Sequence, residues 1–434
     1  MSNQSAFIDF LNQSHCAYMA IDTACKKLDE AGFVHLKENA TWNLQNNRYY
    51  YVVRNQSSLI AFKIPEIANV KSVNIVASHS DSPALKVKPV EDISSDKYGK
   101  INVEVYGGAI LSSWFDKPLS LTGRVVLNKN GQIVSQLVDF DEDLAIIPNV
   151  AIHQNRQINE GYKYNPQVDL VPMMSLNVQQ PFFKNFLSSR LHVEIEDILA
   201  HDLFFYNRQK ALIWGDKQQF ISSGRIDNLE SVFTSLTAFI NSYSSQSINM
   251  LAVFDNEEVG AITKQGMASR FLLDVIERIF TSFYYVDSDI KAILANSFLM
   301  SCDNAHAVHP NHPELYDGFN KTYMNEGVVI KTSASQSYVS DAVSVAICKQ
   351  LCQRANVPYQ MFANKSDSRG GSTQAAISTI NLPINMADIG LAQLAMHSSF
   401  ETCGSSDVDY MINLLSQLYN STIIMDDNKF IING

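Results

Sequence analysis

The chain has 434 residues, of which 46% are hydrophobic and 18% are charged, and its formal net charge is −11. This length and composition allow an ordinary hydrophobic core but exceed one simple domain, so we expect two domains. The negative charge argues against a nucleic-acid partner, because binding to polyphosphate depends on Lys and Arg side chains that neutralise it.

Cysteine usage and the amino terminus indicate the compartment. The six cysteines form no CxxC pair, and so few in so long a chain are typical of reduced thiols in the cytosol. The amino terminus has neither a basic start nor an apolar core of signal-peptide length, and no segment reaches about 18 uninterrupted apolar residues. We therefore expect a soluble, cytoplasmic protein with no membrane partner.

Helices and strands are predicted to alternate at both ends of the chain. Apolar residues from Phe7 to Leu28 recur at helical spacing, which predicts an amphipathic helix with a break near Ser14. Beyond Asp227, apolar strands again alternate with helices, the pattern of an α/β domain. The predicted strands include residues 49–64, 73–77, 248–254 and 297–302, and a helix is predicted over residues 264–280.

A middle segment interrupts this alternation. From about residue 88 to residue 220 the sequence has short alternating stretches such as KINVEVYGG and SLTGRVVL, separated by Gly, Asn and Asp turns. This pattern of short alternating stretches predicts a β-rich insertion. The residues on either side of it, 1–87 and 221–434, are then the two parts of one discontinuous α/β domain.

The first polar motif, SHSDSP, follows a predicted strand. His79 and Asp81 are two residues apart, so their side chains share one face if the extended conformation continues. His79 is then a candidate metal ligand and Asp81 a candidate partner for it, because a metal-bound imidazole usually donates its other N–H to a carboxylate. A polar strand end before a turn at Pro83 gives the same pattern, so the motif is weak by itself.

Two further acidic motifs follow along the chain. In RIDNLES, Asp227 opens a predicted helix, where it fits either a metal ligand or a helix N-cap. In LAVFDNEEVG, an apolar strand ends in Glu257 and Glu258, whose adjacent side chains diverge. One glutamate can then bind a metal while the other holds a water. A solvated acidic loop is the alternative, although strand ends in open α/β sheets are where sites form.

The last candidates lie nearer the carboxyl end. FLMSCDNAHAVHPNH is apolar and then acidic, and we take Asp303 as the ligand and its three histidines as supporting or structural residues. In DIGLAQLAMHSSFE, His397 follows an apolar stretch, and Glu401 is predicted to lie on the same helical face four residues later. A lone histidine carries little weight, but His397 completes a set.

Together the candidate ligands are two imidazoles and three carboxylates: His79, Asp227, Glu258, Asp303 and His397. This nitrogen and oxygen set suits two divalent ions, zinc first and cobalt or manganese as alternatives, with Asp227 as the bridge. Paired ions about 3.5 to 4 Å apart lower the pKa of a shared water and polarise a scissile carbonyl. Glu257 is then the general base. The chain has no HExxH motif, so a single-zinc helix site is not indicated.

Over nearly its whole length the chain resembles the aspartyl aminopeptidases of peptidase family M18. The motifs that carry the resemblance, in chain order, are ASHSDSPALKVKP, VYGGAILSSWFDKPLSLTGRV, AIHQNRQIN, RIDNLES, DNEEVG, DNAHAVHPNHPE, GVVIKTSASQSY, KSDSRGGST and DIGLAQLAMHS. The resemblance implies an α/β metallopeptidase domain, residues 1–87 and 221–434, with a mixed sheet flanked by helices. Residues 88–220 are implied to form the inserted β-rich dimerisation domain of a homo-dodecamer built from dimers.

The resemblance also implies the reaction and the ligand assignment. The substrates are peptides, which lose one residue at a time from the amino end, with a preference for Asp or Glu. The first zinc falls on His79, Asp227 and Asp303, the second on Asp227, Glu258 and His397, and Glu257 is the base.

Four further positions match family residues that contact the substrate. Lys331 matches the residue that meets the acidic side chain of the substrate's first residue, and Tyr338 matches another substrate contact. His153 matches a histidine that reaches a neighbouring subunit's active site. Asp367 matches a residue that helps hold the substrate's free amine.

The sequence departs from the family pattern at several positions. Ser368 and Arg369 follow Asp367 where the family usually has Met-Pro or a similar pair, Lys117 replaces the usual Arg, and Ile226 replaces Leu. An additional arginine near the substrate's amino end bears on side-chain preference. A broader specificity that includes neutral residues therefore stays open.

Three alternatives remain at the level of sequence. The first is a broad-specificity aminopeptidase of the same family. The second is a two-zinc carboxypeptidase or deacylase, in which Lys331 would bind a substrate carboxylate. The third is a self-assembling scaffold with a degenerate site, although all candidate ligands and Glu257 are present.

Overall fold

The computed structural model describes residues 2–95, 97–176, 181–368 and 370–434. Arg369, one of the departures from the family pattern, lies outside the described residues. The α-helices are α1 (Asn3–Gln13), α2 (Ala17–Glu30), α3 (Pro166–Asp169), α4 (Phe182–Leu191), α5 (Ile226–Asn241), α6 (Phe271–Ser282), α7 (Asp287–Ala295), α8 (Ala342–Arg354), α9 (Gln374–Ser378) and α10 (Asp407–Asn420).

Within the described ranges the strands pair into four sheets. In chain order they are β1 (Val34–Leu36), β2 (Arg48–Arg54), β3 (Ser58–Ile64), β4 (Ser72–His79), β5 (Ala84–Ser95), β6 (Tyr98–Tyr106), β7 (Leu119–Lys129), β8 (Gln132–Asp139), β9 (Met173–Leu176), β10 (Ile198–Asn207), β11 (Leu212–Trp214), β12 (Phe220–Ser223), β13 (Ser247–Phe254), β14 (Phe298–Cys302), β15 (Ala305–His306), β16 (Val328–Lys331), β17 (Tyr359–Phe362), β18 (Asn385–Gly390), β19 (Ala392–Leu394), β20 (Glu401–Gly404), β21 (Thr422–Asp426) and β22 (Lys429–Asn433).

The largest sheet has the order β1-β2-β3-β13-β4-β14-β18-β16-β17 and mixes parallel and antiparallel pairs. Its central strands are buried along their whole length, as expected for a parallel sheet covered on both faces. Successive residues alternate between the two faces, so Leu251 and Val253 pack with α1, α2, α5, α8 and α10, whereas Met250 and Ala252 pack with α6 and α7. The predicted mixed sheet flanked by helices is confirmed.

A second sheet, antiparallel throughout, has the order β8-β7-β10-β5-β6-β9 and draws only on residues between Ala84 and Asn207. It has its own core, in which Leu121, Leu203 and Phe205 pack with Leu187 of α4. The strands β11 and β12 instead join β20, β19 and β15 in a five-stranded sheet. The exact division of the chain into domains at residues 87/88 and 220/221 stays a prediction.

Two local predictions have different outcomes. The break near Ser14 is confirmed, since α1 ends at Gln13 and α2 begins at Ala17. The helix predicted from residue 264 is wrong in its first turns, because α6 begins only at Phe271. The intervening segment forms tight turns in which a Cβ on Gly266 would meet the carbonyl oxygen of Ala261 at 2.1 Å. In the described part of the chain, no helix combines the length and apolarity needed to span a membrane.

Candidate metal centre and active site

Three neighbouring parallel strands place the first candidate ligands at one edge of the large sheet. His79 ends β4, a 3-10 helix (Glu257–Val259) follows β13, and Asp303 follows β14. Because β13, β4 and β14 are parallel neighbours, their carboxyl ends meet at the same edge. Sites in open α/β sheets form at such edges.

Asp227 lies at this edge, in the first turn of α5. Its backbone dihedral angles (φ −78°, ψ 107°) are extended rather than helical, and its N–H donates to Glu401 Oε2 at 3.0 Å. Among the described residues no backbone N–H donates to the Asp227 carboxylate, so the N-cap alternative is wrong. The side chain is buried and free to serve as a ligand.

His397 lies in the loop between β19 and β20, which corrects the prediction that it shares a helical face with Glu401. Its φ of 68° is left-handed, and Glu401 begins a strand that pairs with Ser223 of β12. The residues between them form a loop instead, which is closed by a hydrogen bond from the His397 N–H to Glu401 Oε1 at 2.7 Å. Strand pairing by Glu401 prevents the helix that the spacing suggested.

The five candidate ligands form two groups that share Asp227. The groups are His79, Asp227 and Asp303, and Asp227, Glu258 and His397, with the ligand atoms of each group within 4.8 Å of one another. The two oxygens of Asp227 face different imidazoles: Oδ1 lies 3.4 Å from His79 Nε2, and Oδ2 lies 3.7 Å from His397 Nε2. His79 Nε2 also lies 3.6 Å from Asp303 Oδ1, and His397 Nε2 lies 3.4 Å from Glu258 Oε2.

The centre carries an excess of negative charge. Burial raises the pKa of Glu257 to about 8, and the nearby Asp303 and Asp227 carboxylates oppose its ionisation further. Burial and Asp227 likewise hold the pKa of Glu258 well above its usual value. Burial by itself would lower the pKa of His79, but the neighbouring carboxylates of Asp227, Asp303 and Asp81 raise it. Carboxylates crowded in this way are stabilised by a bound cation.

The residues fit divalent ions. Asp227 Oδ1 and Glu258 Oε1 are buried and accept no hydrogen bond from the described residues, although buried polar atoms are normally paired. Each group offers one imidazole nitrogen and two carboxylates, a donor set that suits zinc. Metal coordination would supply the partners that these oxygen atoms lack.

Asp81 connects the end of β4 to the turn that carries the two glutamates. Its Oδ1 accepts the Glu257 N–H and its Oδ2 accepts the Glu258 N–H, both at 3.1 Å, and Oδ2 also accepts the Tyr106 hydroxyl at 2.7 Å. His79 Nδ1 lies 3.0 Å from the Asp81 backbone oxygen and 3.4 Å from its Oδ1. The backbone oxygen is thus the nearer acceptor for the imidazole N–H, and the carboxylate mainly fixes the glutamate turn.

A cavity of about 220 Å³ opens beside the two groups. Lys331 and Tyr338 line it, and the buried Lys331 Nζ donates to the Asn304 backbone oxygen at 2.8 Å and lies 5.4 Å from the Tyr338 ring centroid. Its lining also includes Asp227, Glu257, Asp303, Asn304, Ala305, His306, Phe362, Gly371, Ser372, Thr373, Met396 and His397. The cavity therefore combines one buried cation with hydroxyl groups next to the candidate metal ligands.

Comparison with known proteins agrees with this geometry. Residues 10–419 match the family model described as Aminopeptidase I zinc metalloprotease (M18). The chain belongs to the M18 family of aminopeptidases. It is therefore a metalloprotease, a hydrolase that acts on peptides, of a zinc-dependent family.

Individual relatives and solved structures align with almost the whole of this chain. It is 42% identical over 432 residues to the probable M18 family aminopeptidase 2 of Clostridium acetobutylicum, covering 97% of this chain and 100% of that protein. The cryo-EM structure of the Ape4 and Nbr1 complex has a TM-score of 0.92 at 31% identity, covering 96% of this chain and 85% of that chain. The S. cerevisiae mApe1 dodecamer has a TM-score of 0.83 at 24% identity, covering 96% of each chain.

The remaining predicted residues of this M18 aminopeptidase lie away from the cavity. His153 is exposed in the loop between β8 and α3, and Asp367 is exposed and pairs with Lys365 at 3.3 Å. Neither residue lines this cavity in its own chain. Of the three histidines after Asp303, His306 lines the cavity, whereas His312 is exposed and lies next to Glu314.

Sequence reasoning missed the positioning role of three residues around the M18 centre. Glu401 accepts the N–H groups of both Asp227 and His397, so one buried carboxylate fixes two ligands. His397 Nδ1 lies 3.0 Å from the Gly108 backbone oxygen, and Tyr106 contacts Asp81. Tyr106 and Gly108 lie within the family motif VYGG, which was the available signal for them.

Proposed function

We propose that the chain is a two-metal aminopeptidase that removes the first residue of peptides, with a preference for Asp or Glu. The observation that carries the proposal is the orientation of Asp227, whose two oxygens face imidazoles from opposite ends of the chain. A carboxylate in this position is suited to bridge two ions. Glu257 stands beside both groups, lines the cavity and belongs to neither group.

Each candidate group would hold one divalent ion. His79, Asp227 and Asp303 form the first site, and Asp227, Glu258 and His397 form the second. The donor set and the family description favour zinc, with cobalt or manganese as alternatives. Bound ions would lower the pKa of a coordinated water and polarise the scissile carbonyl.

Glu257 is proposed as the general base. It takes a proton from the attacking water and delivers it to the leaving amine, a proton transfer typically worth about 10² to 10⁴ in rate. Its backbone N–H donates a hydrogen bond to Asp81, which fixes the position of the Glu257 backbone beside the cavity. The carboxylate therefore meets the reacting atoms without further reorganisation of the turn.

Lys331 is proposed to select the first residue of the substrate. Its ammonium is buried at the cavity wall with Asn304 O as its hydrogen-bond acceptor, and it has further donor capacity for a carboxylate. The cavity is small, so it accommodates one side chain rather than an extended peptide. Tyr338 forms the adjacent wall. Asp367 does not line the cavity, and only the family resemblance supports the proposal that it helps hold the substrate's free amine.

The exopeptidase proposal is tested with chromogenic substrates that begin with Asp, Glu or Leu, in free and amino-blocked forms. Each is assayed with added zinc, cobalt or manganese. We expect cleavage of the free forms only, fastest for the acidic ones. Cleavage of an amino-blocked substrate would favour the carboxypeptidase or deacylase alternative, and equal rates on all three residues would favour the broad-specificity one.

Replacing Lys331 should change specificity more than overall activity. Lys331→Ala removes a charge-assisted contact worth about 1.5 to 3 kcal/mol, so we expect kcat/KM for acidic substrates to fall about 10- to 150-fold. Neutral substrates should lose much less. Lys331→Met, which keeps the apolar stem but lacks the ammonium, is measured beside Lys331→Ala as the matched variant. Equal losses on acidic and neutral substrates would remove Lys331 from the account of specificity.

Replacing Asp81 should disturb the glutamate turn and His79 together. Asp81→Asn retains the shape but replaces one acceptor oxygen with an NH2 donor, so either the Glu257 or the Glu258 N–H loses its acceptor. We expect activity or metal affinity to fall about 10- to 100-fold, as is typical for partners of metal ligands. Titration with zinc and assay of turnover measure the effect. Asp216→Asn, in an exposed loop, is the control, and identical behaviour of the two variants would contradict the role of Asp81.

The M18 resemblance further supports a homo-oligomeric assembly, which we propose to be a dodecamer built from dimers. One solved structure similar in fold is described as a dodecamer. The antiparallel sheet of residues 84–207 is the proposed dimerisation domain, and exposed His153 is proposed to reach the active site of a neighbouring subunit. Light scattering gives the subunit number. A monomer in solution with full activity would refute both the assembly and the role of His153.

We also propose a cytoplasmic location. All six cysteines are free thiols, which agrees with a reducing compartment.

A further inference from the structure

A second cavity, of about 440 Å³, lies beside the metal-binding loops and is larger than the catalytic cavity. Its walls come from α2, from β7 and β10 of the antiparallel sheet, and from loops of the α/β part of the chain. None of the five candidate metal ligands lines it. The mechanism proposed above gives this cavity no role.

The second cavity shares its walls with the catalytic centre. The segments that carry four of the five candidate ligands each place a nearby residue in the cavity lining: Asp81 and Ser82 follow His79, Arg225 precedes Asp227, Asn256 precedes Glu258, and Ser398 follows His397. A molecule bound in this space would therefore contact the backbone segments that position four of the five ligands.

The lining of the second cavity has four cationic side chains and three carboxylates, those of Asp81, Asp202 and Asp255. Lys86, Arg124, Arg225 and Lys264 all line it, in a chain whose net charge is −11. Asp202 neutralises two of them, since its carboxylate lies 3.0 Å from Lys86 Nζ and 2.9 Å from Arg124 Nη2. Within the described ranges, no carboxylate lies within 4.0 Å of the charged nitrogens of Arg225 or Lys264.

Arg225 is the unusual member of this set. It is partly buried, its Nε donates to the Ser14 backbone oxygen at 3.1 Å, and its guanidinium lies 5.6 Å from the Tyr206 ring centroid. Among the described residues its two terminal nitrogens have no hydrogen-bond acceptor. A guanidinium removed from bulk water is costly unless its donors are paired, and its planar fork matches a carboxylate or a phosphate.

Aromatic rings complete the lining of the second cavity. Tyr18, Tyr106, Trp114, Phe204 and Tyr206 provide apolar surface next to the cations. Cavities of about 300 to 1,000 Å³ that combine apolar walls with a few placed polar groups are typical of small-molecule sites. This combination suits a ligand with an apolar body and one anionic end.

We propose that the second cavity binds a small organic anion that carries a carboxylate or a phosphate, and that its binding is coupled to the catalytic centre. The terminal nitrogens of Arg225 donate to the anionic group, Lys264 adds charge at the rim, and the aromatic rings hold the body of the ligand. The coupling acts through the shared loops, because the ligand's position constrains the segments that hold the metal-binding side chains.

Calorimetric titration of the full-length, zinc-loaded protein tests the proposal with three probes: succinate, inorganic phosphate and adenosine monophosphate. At least one probe should bind saturably, at one molecule per chain. A carboxylate-only response and a phosphate-only response distinguish the two chemistries. Absence of saturable binding by all three probes at millimolar concentration would overturn the proposal.

Three variants separate this cavity from the metal centre. Arg225→Gln should lower the affinity for the probe that binds by about tenfold or more, the expected loss for a charge-assisted hydrogen bond. Ala17→Trp places a bulky ring in the lining and should abolish binding, whereas Arg190→Gln alters an exposed pair with Glu142 and should leave it unchanged. Wild-type affinity in both Arg225→Gln and Ala17→Trp would place the probe elsewhere and refute the site.

The coupling has its own measurement. The kcat/KM of the wild-type enzyme is measured with and without a saturating amount of the binding probe, and again in Ala17→Trp. A change in the wild type that disappears in Ala17→Trp supports coupling. A probe that binds in the cavity without changing kcat/KM would refute the coupling and leave the site as a binding site alone.

Discussion

Glu257→Gln should leave a protein that binds its metals and turns over almost no substrate. The amide has nearly the same shape as the carboxylate but cannot accept the proton of the attacking water. The expected loss of kcat is about 10² to 10⁴-fold, the usual contribution of a positioned general base. Glu257 belongs to neither ligand group, so metal content should stay at the wild-type level.

The test of Glu257 combines turnover on an amino-terminal aspartyl substrate with metal analysis of the same preparation. Glu30→Gln, at the exposed end of α2, is the matched control and should behave as the wild type. Retained turnover in Glu257→Gln would contradict the proposed base. Loss of metal together with turnover would instead assign Glu257 to coordination, because a base without a ligand role should not change metal content.

Asp227→Asn should have the larger structural consequence, because one carboxylate faces both imidazoles. Its amide presents only one oxygen and carries no charge, so it cannot bridge two ions. We expect both ions to be lost or greatly weakened, and turnover to fall by about 10³-fold or more with the loss of the metal-activated water. Metal analysis after gel filtration, together with turnover, measures the result.

Stoichiometry makes the Asp227 experiment specific. His397→Ala removes a ligand of one group only and should cost one ion per chain, whereas Asp227→Asn should cost two. Unfolding curves of both variants, recorded with excess zinc and with chelator, separate loss of metal from loss of fold. Equal losses in the two variants would contradict a shared carboxylate and would assign Asp227 to one site only.

The sequence predicted well those features that depend on neighbouring residues. Apolar runs followed at once by polar residues indicated the strands β4, β13 and β14 and placed the candidate ligands at their ends. This succeeds because a fully buried strand needs a continuous apolar run, and a parallel sheet places the following residues at one edge. Donor chemistry then limited the kinds of metal that five such side chains could bind.

The sequence predicted poorly those features that depend on distant contacts. The four-residue interval from His397 to Glu401 suggested a helix, but pairing of Glu401 with Ser223 converts it into a loop. Likewise, apolar spacing predicted the start of α6 several residues too early, because close contact around Gly266 favours turns. In both cases tertiary contacts overrode a local pattern.

By itself, the sequence determined which chemical groups are available and the order in which the chain presents them: candidate ligands after apolar strands, a pair of adjacent glutamates, and a lysine that closes an apolar strand. Only the tertiary structure decided which oxygen of Asp227 faces which histidine, that Glu401 holds two ligands at once, and that Arg225 lines a second cavity. The physical reason is that distances between residues far apart in sequence depend on how strands, loops and sheets pack together, and periodicity along the chain carries no information about that packing.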